Sequence, residues 1–304
     1  MVFGVADIPD LSGCVAVVTG ANGGLGLQTA TVLAAKGAHV WLAARDEHKT
    51  ARAIDAIARA TPDAQLTAVR LDLGNLASIG DAAAVILAQV SRVDLLVNNA
   101  GVMGTPEGRT VDNFETQLGV DHLGHWAFTA HLMPALLAAP AARVVTVTSF
   151  ARLMGKPIDP NNPHLDGSYD PWRAYGQAKL ANYHFGLGLQ DAFDRARASA
   201  SSLLAHPGMA HTDLQPTTVQ LGGAGGQARL WAWYARVFGM SPAHAAMPQL
   251  RAATDPRARG GEFYGPRFTT FGPAVRLPVL RRDNPEAIRN LWEVSERIWN
   301  WPMR

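Results

Sequence analysis

The chain has 304 residues, 48% of them hydrophobic, enough to bury a sizeable core and too apolar for global disorder. A formal net charge of +2, with the basic residues scattered along the chain, excludes a dedicated nucleic-acid surface. A single cysteine, Cys14, excludes a disulfide framework and a cysteine-built zinc site. No run reaches about 18 uninterrupted apolar residues and Met1 to Gly13 shows no basic-then-apolar leader, so a cytoplasmic chain without a transmembrane span is expected.

Residues 14–19, Cys-Val-Ala-Val-Val-Thr, form a short apolar run rich in β-branched side chains, the pattern of a buried parallel strand. Thr19-Gly-Ala-Asn-Gly-Gly-Leu-Gly26 follows, and then a helical pattern through Leu27, Ala30, Leu33 and Ala34 that ends at Gly37. In a strand–turn–helix context, glycines let the backbone approach a pyrophosphate, and the helix N-terminus offers free N–H groups. Gly20, Asn22, Gly24, Leu25 and Gly26 are therefore candidate cofactor contacts, with a plain tight turn as the bland alternative. The next strand, His39 to Ala44, runs into Arg45, with Lys49 and Arg52 beyond it. An acidic residue there would suit the ribose 2′-hydroxyl of NAD, whereas an arginine accommodates the 2′-phosphate of NADP. The pattern leans to NADP, with NAD as the second choice; a solvated arginine at a helix start is the competing explanation.

A helix over 46–60 leads to a strand, Leu66 to Asp72, which places Asp72 and Leu73 where an adenine would lie. A helix over 75–91 and a strand, Val93 to Val97, then run into Asn98-Asn-Ala-Gly101, a tight exit beside a ligand that nominates Asn99, Ala100 and Gly101. A helix with Leu118, Val120, Leu123 and Phe128 crosses to the strand Arg143 to Ser149. His122 and His125 lack an obvious carboxylate third ligand, so packing or polar roles are expected for them and no metal site. Strands alternate with helices throughout, which predicts an α/β, doubly wound parallel sheet with ligands at the strands' carboxyl ends, where Ser149 falls.

Residues 152–171 are rich in Pro, Gly, Asp and Asn and read as a long loop. The helix after it carries Tyr175 and Lys179, four residues apart and so on one face. An ammonium beside a phenol favours the ionised form and draws its pKa from about 10 toward working pH. Such a tyrosine can give a proton to a carbonyl oxygen or take one from an alcohol; a surface tyrosine beside a solvated lysine is the alternative. The strand Ser201 to Ala205 ends in His206-Pro207-Gly208, a sharp turn. Residues 212–256 carry a glycine run, Gly222 to Gly226, before Leu230-Trp-Ala-Trp-Tyr and read equally as a substrate lid or as a core-covering helix. Gly260 to Gly265 reads as the last strand and Asn284 to Trp299 as a closing amphipathic helix with Pro285 in its first turn. No internal repeat or linker interrupts the chain, so residues 1–304 are expected to form one dinucleotide-binding domain with a small C-terminal lid.

The Thr19–Gly26 loop, Asn98–Gly101, Ser149 and the Tyr175/Lys179 pair occur in the order found in the short-chain dehydrogenase/reductase family, which the chain resembles over residues 12–300. The resemblance is to its retinol-dehydrogenase-like branch through Val120-Asp-His-Leu-Gly-His125, Tyr169 to Lys179 and Leu291-Trp-Glu-Val-Ser295. It implies a Rossmann-like sheet of about seven strands and NAD(P)-dependent interconversion of an alcohol and its carbonyl. It further implies Tyr175 as general acid/base, Ser149 as a hydrogen-bond donor to the substrate oxygen, and Lys179 on the nicotinamide ribose and the phenol. Pro207, Gly208 and Thr212 would hold the nicotinamide carboxamide, while Asp72 meets adenine and Asn99 lines the cleft. Asp121 stands where the family usually has an asparagine that supports Lys179, and its charge is expected either to weaken the pull on the phenol or to replace the asparagine sterically.

The expected partner is a hydrophobic small molecule, and the sequence also admits a homo-oligomer. A catalytically impaired NADP-binding sensor or interaction protein of the same fold is the alternative, with Asp121 as its only foothold. A membrane-surface enzyme using Trp231 to Phe238 lacks the basic flanks that such a patch needs.

Overall fold

The computed structural model describes residues 2–209, 239–279 and 285–299. Eight strands form one sheet in the order β3-β2-β1-β4-β5-β6-β7-β8. They are β1 (Val15–Thr19), β2 (His39–Ala44), β3 (Leu66–Arg70), β4 (Leu95–Asn98), β5 (Arg143–Val147), β6 (Ser201–Ala205), β7 (Phe263–Pro266) and β8 (Ala274–Leu277). The first seven are parallel, and β8 turns back antiparallel on β7, pairing Gly265 with Val275. The sequence expectation of about seven strands omitted β8.

Alternation along the central strands sends side chains into two cores. Val17, Trp41, Leu96 and Val144 enter one, while Val18, Leu42, Val97 and Val145 enter the other. The first core is covered by α3 (Leu76–Leu87), α4 (Gly124–Ala138), α5 (Pro171–Ala196) and α7 (Pro285–Trp299). The second is covered by α1 (Gly24–Ala35), α2 (Glu47–Ala60) and α6 (Met247–Thr254). Met247, Leu250, Ala252 and Ala253 of α6 are buried, so this part of 212–256 is a sheet-covering helix. The rest of the lid expectation, through residue 238, lies outside the described residues.

The chain moves outward from β1 to β3, then returns to place β4 on the other side of β1. That reversal opens a crevice at the carboxyl ends of β1 and β4, the place where sheets of this kind bind ligands. Among the described residues, no helix is long and apolar enough to cross a membrane.

Candidate active site

The crevice is built from the turn after β1. Gly20 adopts φ +67°, a left-handed conformation that a β-carbon disfavours, and a β-carbon on Gly26 would collide with the Gly20 carbonyl and the Asn99 amide. Thr19 ties this turn to the strand opposite, its Oγ1 accepting from the N–H groups of Asn99 and Ala100, each at 2.9 Å. Asn99 adds a side-chain bond, Nδ2 donating to Thr19 O at 2.9 Å. Gln249 of α6 then donates to Asn99 Oδ1 at 3.1 Å and to Thr29 Oγ1 of α1 at 2.6 Å.

Helices α2, α3 and α5 start with side-chain caps from Asp46, Asn75 and Asp170, whereas α1 starts at Gly23 with none. Its first N–H groups and dipole are therefore left for an external anion, which with the close-packed glycine turn fits a dinucleotide pyrophosphate. Leu25 is buried beneath the turn. Asn22 donates through Nδ2 to Asp46 O at 3.5 Å, which brings the turn beside Arg45. Arg45 is exposed and has no ion-pair partner among the described residues. Asp72 follows β3, its Oδ1 accepting from Gly74 N at 3.0 Å, and Leu73 is buried beside it. Pro207 and Gly208 follow β6, with Gly208 N donating to His206 Nδ1 at 3.2 Å; Thr212 lies outside the described residues.

Ser149 follows β5 at the same end of the sheet, its Oγ accepting from Ala151 N at 3.2 Å. Opposite it stands α5, entered through Pro171 and capped by Asp170, which accepts from Trp172 N and Arg173 N at 3.0 and 2.8 Å. The Tyr175 phenol faces the Ser149 hydroxyl, and Lys179 Nζ lies 5.5 Å from the centroid of the Tyr175 ring. Thr148 fixes the helix to β5, its Oγ1 donating to Lys179 O at 2.6 Å.

Asp121 lies in a π-helical turn, Gly119–Leu123, between a short helical turn and α4, where the sequence pattern suggested one continuous helix. Such turns recur at functional sites because the extra residue re-aims side chains. Asp121 Oδ2 sits 2.9 Å from Lys179 Nζ, and Oδ1 accepts from Val102 N at 2.7 Å. A β-carbon on Gly101 would press on this pair, 3.0 Å from Nζ and 3.1 Å from Oδ1, so the glycine leaves its space open.

The electrostatic balance differs from the sequence expectation. Burial lifts the Tyr175 phenol above its ordinary value of 10.0 and, with the Asp121 charge, outweighs the downward pull of Lys179 and of the nearby Ser149 hydroxyl. Burial also works against a charged Lys179, but the Asp121 carboxylate and the Tyr175 phenol more than offset it and raise the lysine pKa. Burial likewise lifts the Asp121 carboxyl above its ordinary value, against the pull of Lys179 and the Val102 N–H, and it is the 2.9 Å contact between Nζ and Oδ2 that makes the two a buried ion pair beside a protonated phenol.

His125 donates through Nδ1 to Asp121 O at 2.9 Å, which leaves Nε2 to accept from the Thr19 hydroxyl at 2.9 Å. Burial pushes its pKa down to about 4, so it is neutral. The sequence pointed to neither this bridge nor Gln249, because both join residues far apart in the chain.

A strand-borne glycine turn, a carboxyl-end crevice and a Ser–Tyr–Lys cluster thus meet at one end of the sheet, an arrangement suited to a nicotinamide-dependent oxidoreductase. The family model described as short chain dehydrogenase matches residues 14–161. Retinol dehydrogenase 13 of Mus musculus is 34% identical over 291 residues, covering 95% of this chain and 84% of that protein. Polyprenol dehydrogenase of Mus musculus is 40% identical over 211 residues, covering 68% and 63%. The crystal structure of an uncharacterized protein from Mycobacterium paratuberculosis superposes with TM-score 0.80 at 36% identity, covering 100% of both chains. The chain belongs to the short-chain dehydrogenase/reductase family, in its retinol-dehydrogenase-like part, and is an NAD(P)-dependent oxidoreductase.

Proposed function

We propose that the protein interconverts a hydrophobic alcohol and its ketone or aldehyde, prefers NADP, and uses Tyr175 as the general acid/base. The observation that carries this reading is the Tyr175 phenol, facing Ser149 and flanked by Lys179, at the carboxyl end of β5 beside the glycine cradle. When bound, the cofactor supplies or accepts the hydride. In reduction, Tyr175 gives its proton to the carbonyl oxygen while the Ser149 hydroxyl donates a hydrogen bond to the same oxygen. In oxidation, the tyrosinate takes the proton from the alcohol. In this reading Lys179 stabilises the phenolate and binds the nicotinamide ribose, with Gly20, Asn22, Gly24, Leu25, Gly26, Asp72, Leu73, Asn99, Ala100 and Gly101 holding the rest of the cofactor.

Arg45, exposed beyond β2 and next to the turn, supports the preference for NADP. A hydrophobic substrate is favoured by the kinship with proteins named retinol and polyprenol dehydrogenases, whose names denote long apolar alcohols. Our reading also takes residues 1–304 as one catalytic domain acting in the cytoplasm, which subcellular fractionation tests. The decisive assay is turnover with NADP(H) along a homologous series of ketones and alcohols. We expect kcat/KM to rise as apolar carbons are added, by up to about 0.8 kcal/mol for each buried CH₂. A flat series, or a preference for a small charged substrate, overturns the substrate class. Binding of NADP without turnover on any member would favour the impaired sensor.

A further inference from the structure

Helix α7 reaches the Asp121 turn through one buried hydrogen bond. His122 lies beside Asp121 in the turn, and its Nε2 is 3.0 Å from Ser295 Oγ, with both residues fully buried. The Ser295 hydroxyl donates to Leu291 O at 2.7 Å, within its own helix. Its proton is thereby committed, so His122 Nε2–H donates and the serine oxygen accepts. The other ring nitrogen faces the Asn182 side chain without closing to a full hydrogen bond, and Asn182 Nδ2 in turn donates to Val147 O of β5 at 3.2 Å. The imidazole therefore meets α7 directly and faces α5, which carries Tyr175 and Lys179.

The fit around this contact is close. The His122 ring lies 6.2 Å from Trp126 and 5.9 Å from Phe185, and Trp292 of α7 completes the cluster 4.6 Å from Trp126 and 5.7 Å from Phe185. A β-carbon on Gly188 of α5 would collide with the Trp292 ring, so α7 docks against bare backbone. Burial pushes the His122 pKa down to about 3, with His125 and His184 the neighbouring titratable groups that add to the shift. The ring therefore stays neutral at working pH and keeps the proton that reaches Ser295.

We propose that Ser295 and His122 are positioning residues for proton transfer: helix α7 holds His122, and His122 fixes the π-helical turn that sets Asp121 against Lys179. This rests on the proposed role of Tyr175 and Lys179, and it concerns where the neighbouring ion pair sits. The two residues are 173 apart in sequence, so the C-terminal helix is coupled to the site through this contact alone among the side-chain bonds of α7 to the turn in the described residues.

The test uses the full chain with Ser295→Ala. The variant should lose about three- to tenfold in kcat, within the sensitivity of well-placed groups to sub-ångström shifts, with NADP affinity unchanged. The pH profile of oxidation should move toward that of Asp121→Asn, and in the Ser295→Ala/Asp121→Asn double variant the two shifts should not add. His122→Phe keeps the ring packing while removing both polar contacts, and should reproduce the shift if Ser295→Ala proves too unstable to assay. A lower melting temperature with a pH profile superimposable on the parent's would show a purely structural contact and overturn the inference; so would additive shifts in the double variant. Tyr175→Phe serves as the control. If it keeps most of its rate, the proposed function itself fails; if it is inactive while the Ser295→Ala profile is unchanged, only the positioning inference fails.

Discussion

Lys179 Nζ lies 2.9 Å from Asp121 Oδ2, and both side chains are withdrawn from solvent, at 7% and 0% exposure. A cation buried beside a phenol should draw the phenol toward ionisation, but here an anion of equal charge contacts the same cation. The site therefore combines a firmly placed lysine with a phenol that burial and Asp121 hold in its protonated form.

Removing one member of a buried pair leaves the other uncompensated, at a cost of about 3–5 kcal/mol. Lys179→Met should lower stability by that order in denaturant unfolding, and adding Asp121→Asn should restore much of it. If the single variant unfolds like the parent, the two side chains are not an ion pair.

Asp121→Asn should change the pH dependence. Under the proposed role of Tyr175 the raised phenol has to ionise before it takes a proton in oxidation, so the oxidation rate should climb toward alkaline pH. Asp121 is one of the groups that raise the Tyr175 pKa. Neutralising it should lower that pKa and shift the rising limb of oxidation, together with the falling limb of reduction, to lower pH. Coincident profiles for parent and variant would show that Asp121 acts through its shape.

Tyr175→Phe removes the proton handle and little volume. Oxidation and reduction should both slow by about a hundredfold to ten-thousandfold, while cofactor affinity by fluorescence titration stays close to that of the parent. A variant that retains most of the rate rules out the assigned role.

Arg45→Ala should separate the two cofactors. A charge-assisted contact to the 2′-phosphate contributes about 1.5–3 kcal/mol, so NADP should weaken by about tenfold or more and NAD hardly at all. Equal losses for both would mark the arginine as structural.

The glycine turn and the crevice it opens were legible in the sequence because their signals are local. Val15 to Thr19, the glycine turn and α1 follow one another directly, and each carries its own periodicity or turn chemistry. Ser149 and Tyr175 fell into place because the alternation of strands and helices puts strand ends at one edge of the sheet. The π-helical turn at Asp121 was hidden, since Leu118, Val120, Leu123 and Phe128 also suit a continuous helix and one extra residue hardly disturbs that spacing. Strand β8 escaped because four residues, Ala274–Leu277, of mixed exposure carry no clear alternation and are defined by pairing with β7. The direction of the Tyr175 shift was out of reach as well: spacing reveals its neighbour Lys179, but only the fold reveals how deeply the phenol is enclosed.

Gln249 has a consequence for how the chain can be divided. Its amide, carried by α6 near the C-terminal end, donates to both Asn99 and Thr29, and so closes the nucleotide crevice from a helix that follows β6. The region matched by the family model, residues 14–161, ends long before it. A shortened chain that stops after β6 would carry the whole glycine turn yet leave Asn99 and Thr29 without their anchor and the sheet without β7. The nucleotide-binding half is thus not a transplantable module. It is completed by late segments of the chain, and trimming the C-terminal third removes the Gln249 bonds that hold Asn99 and Thr29 together.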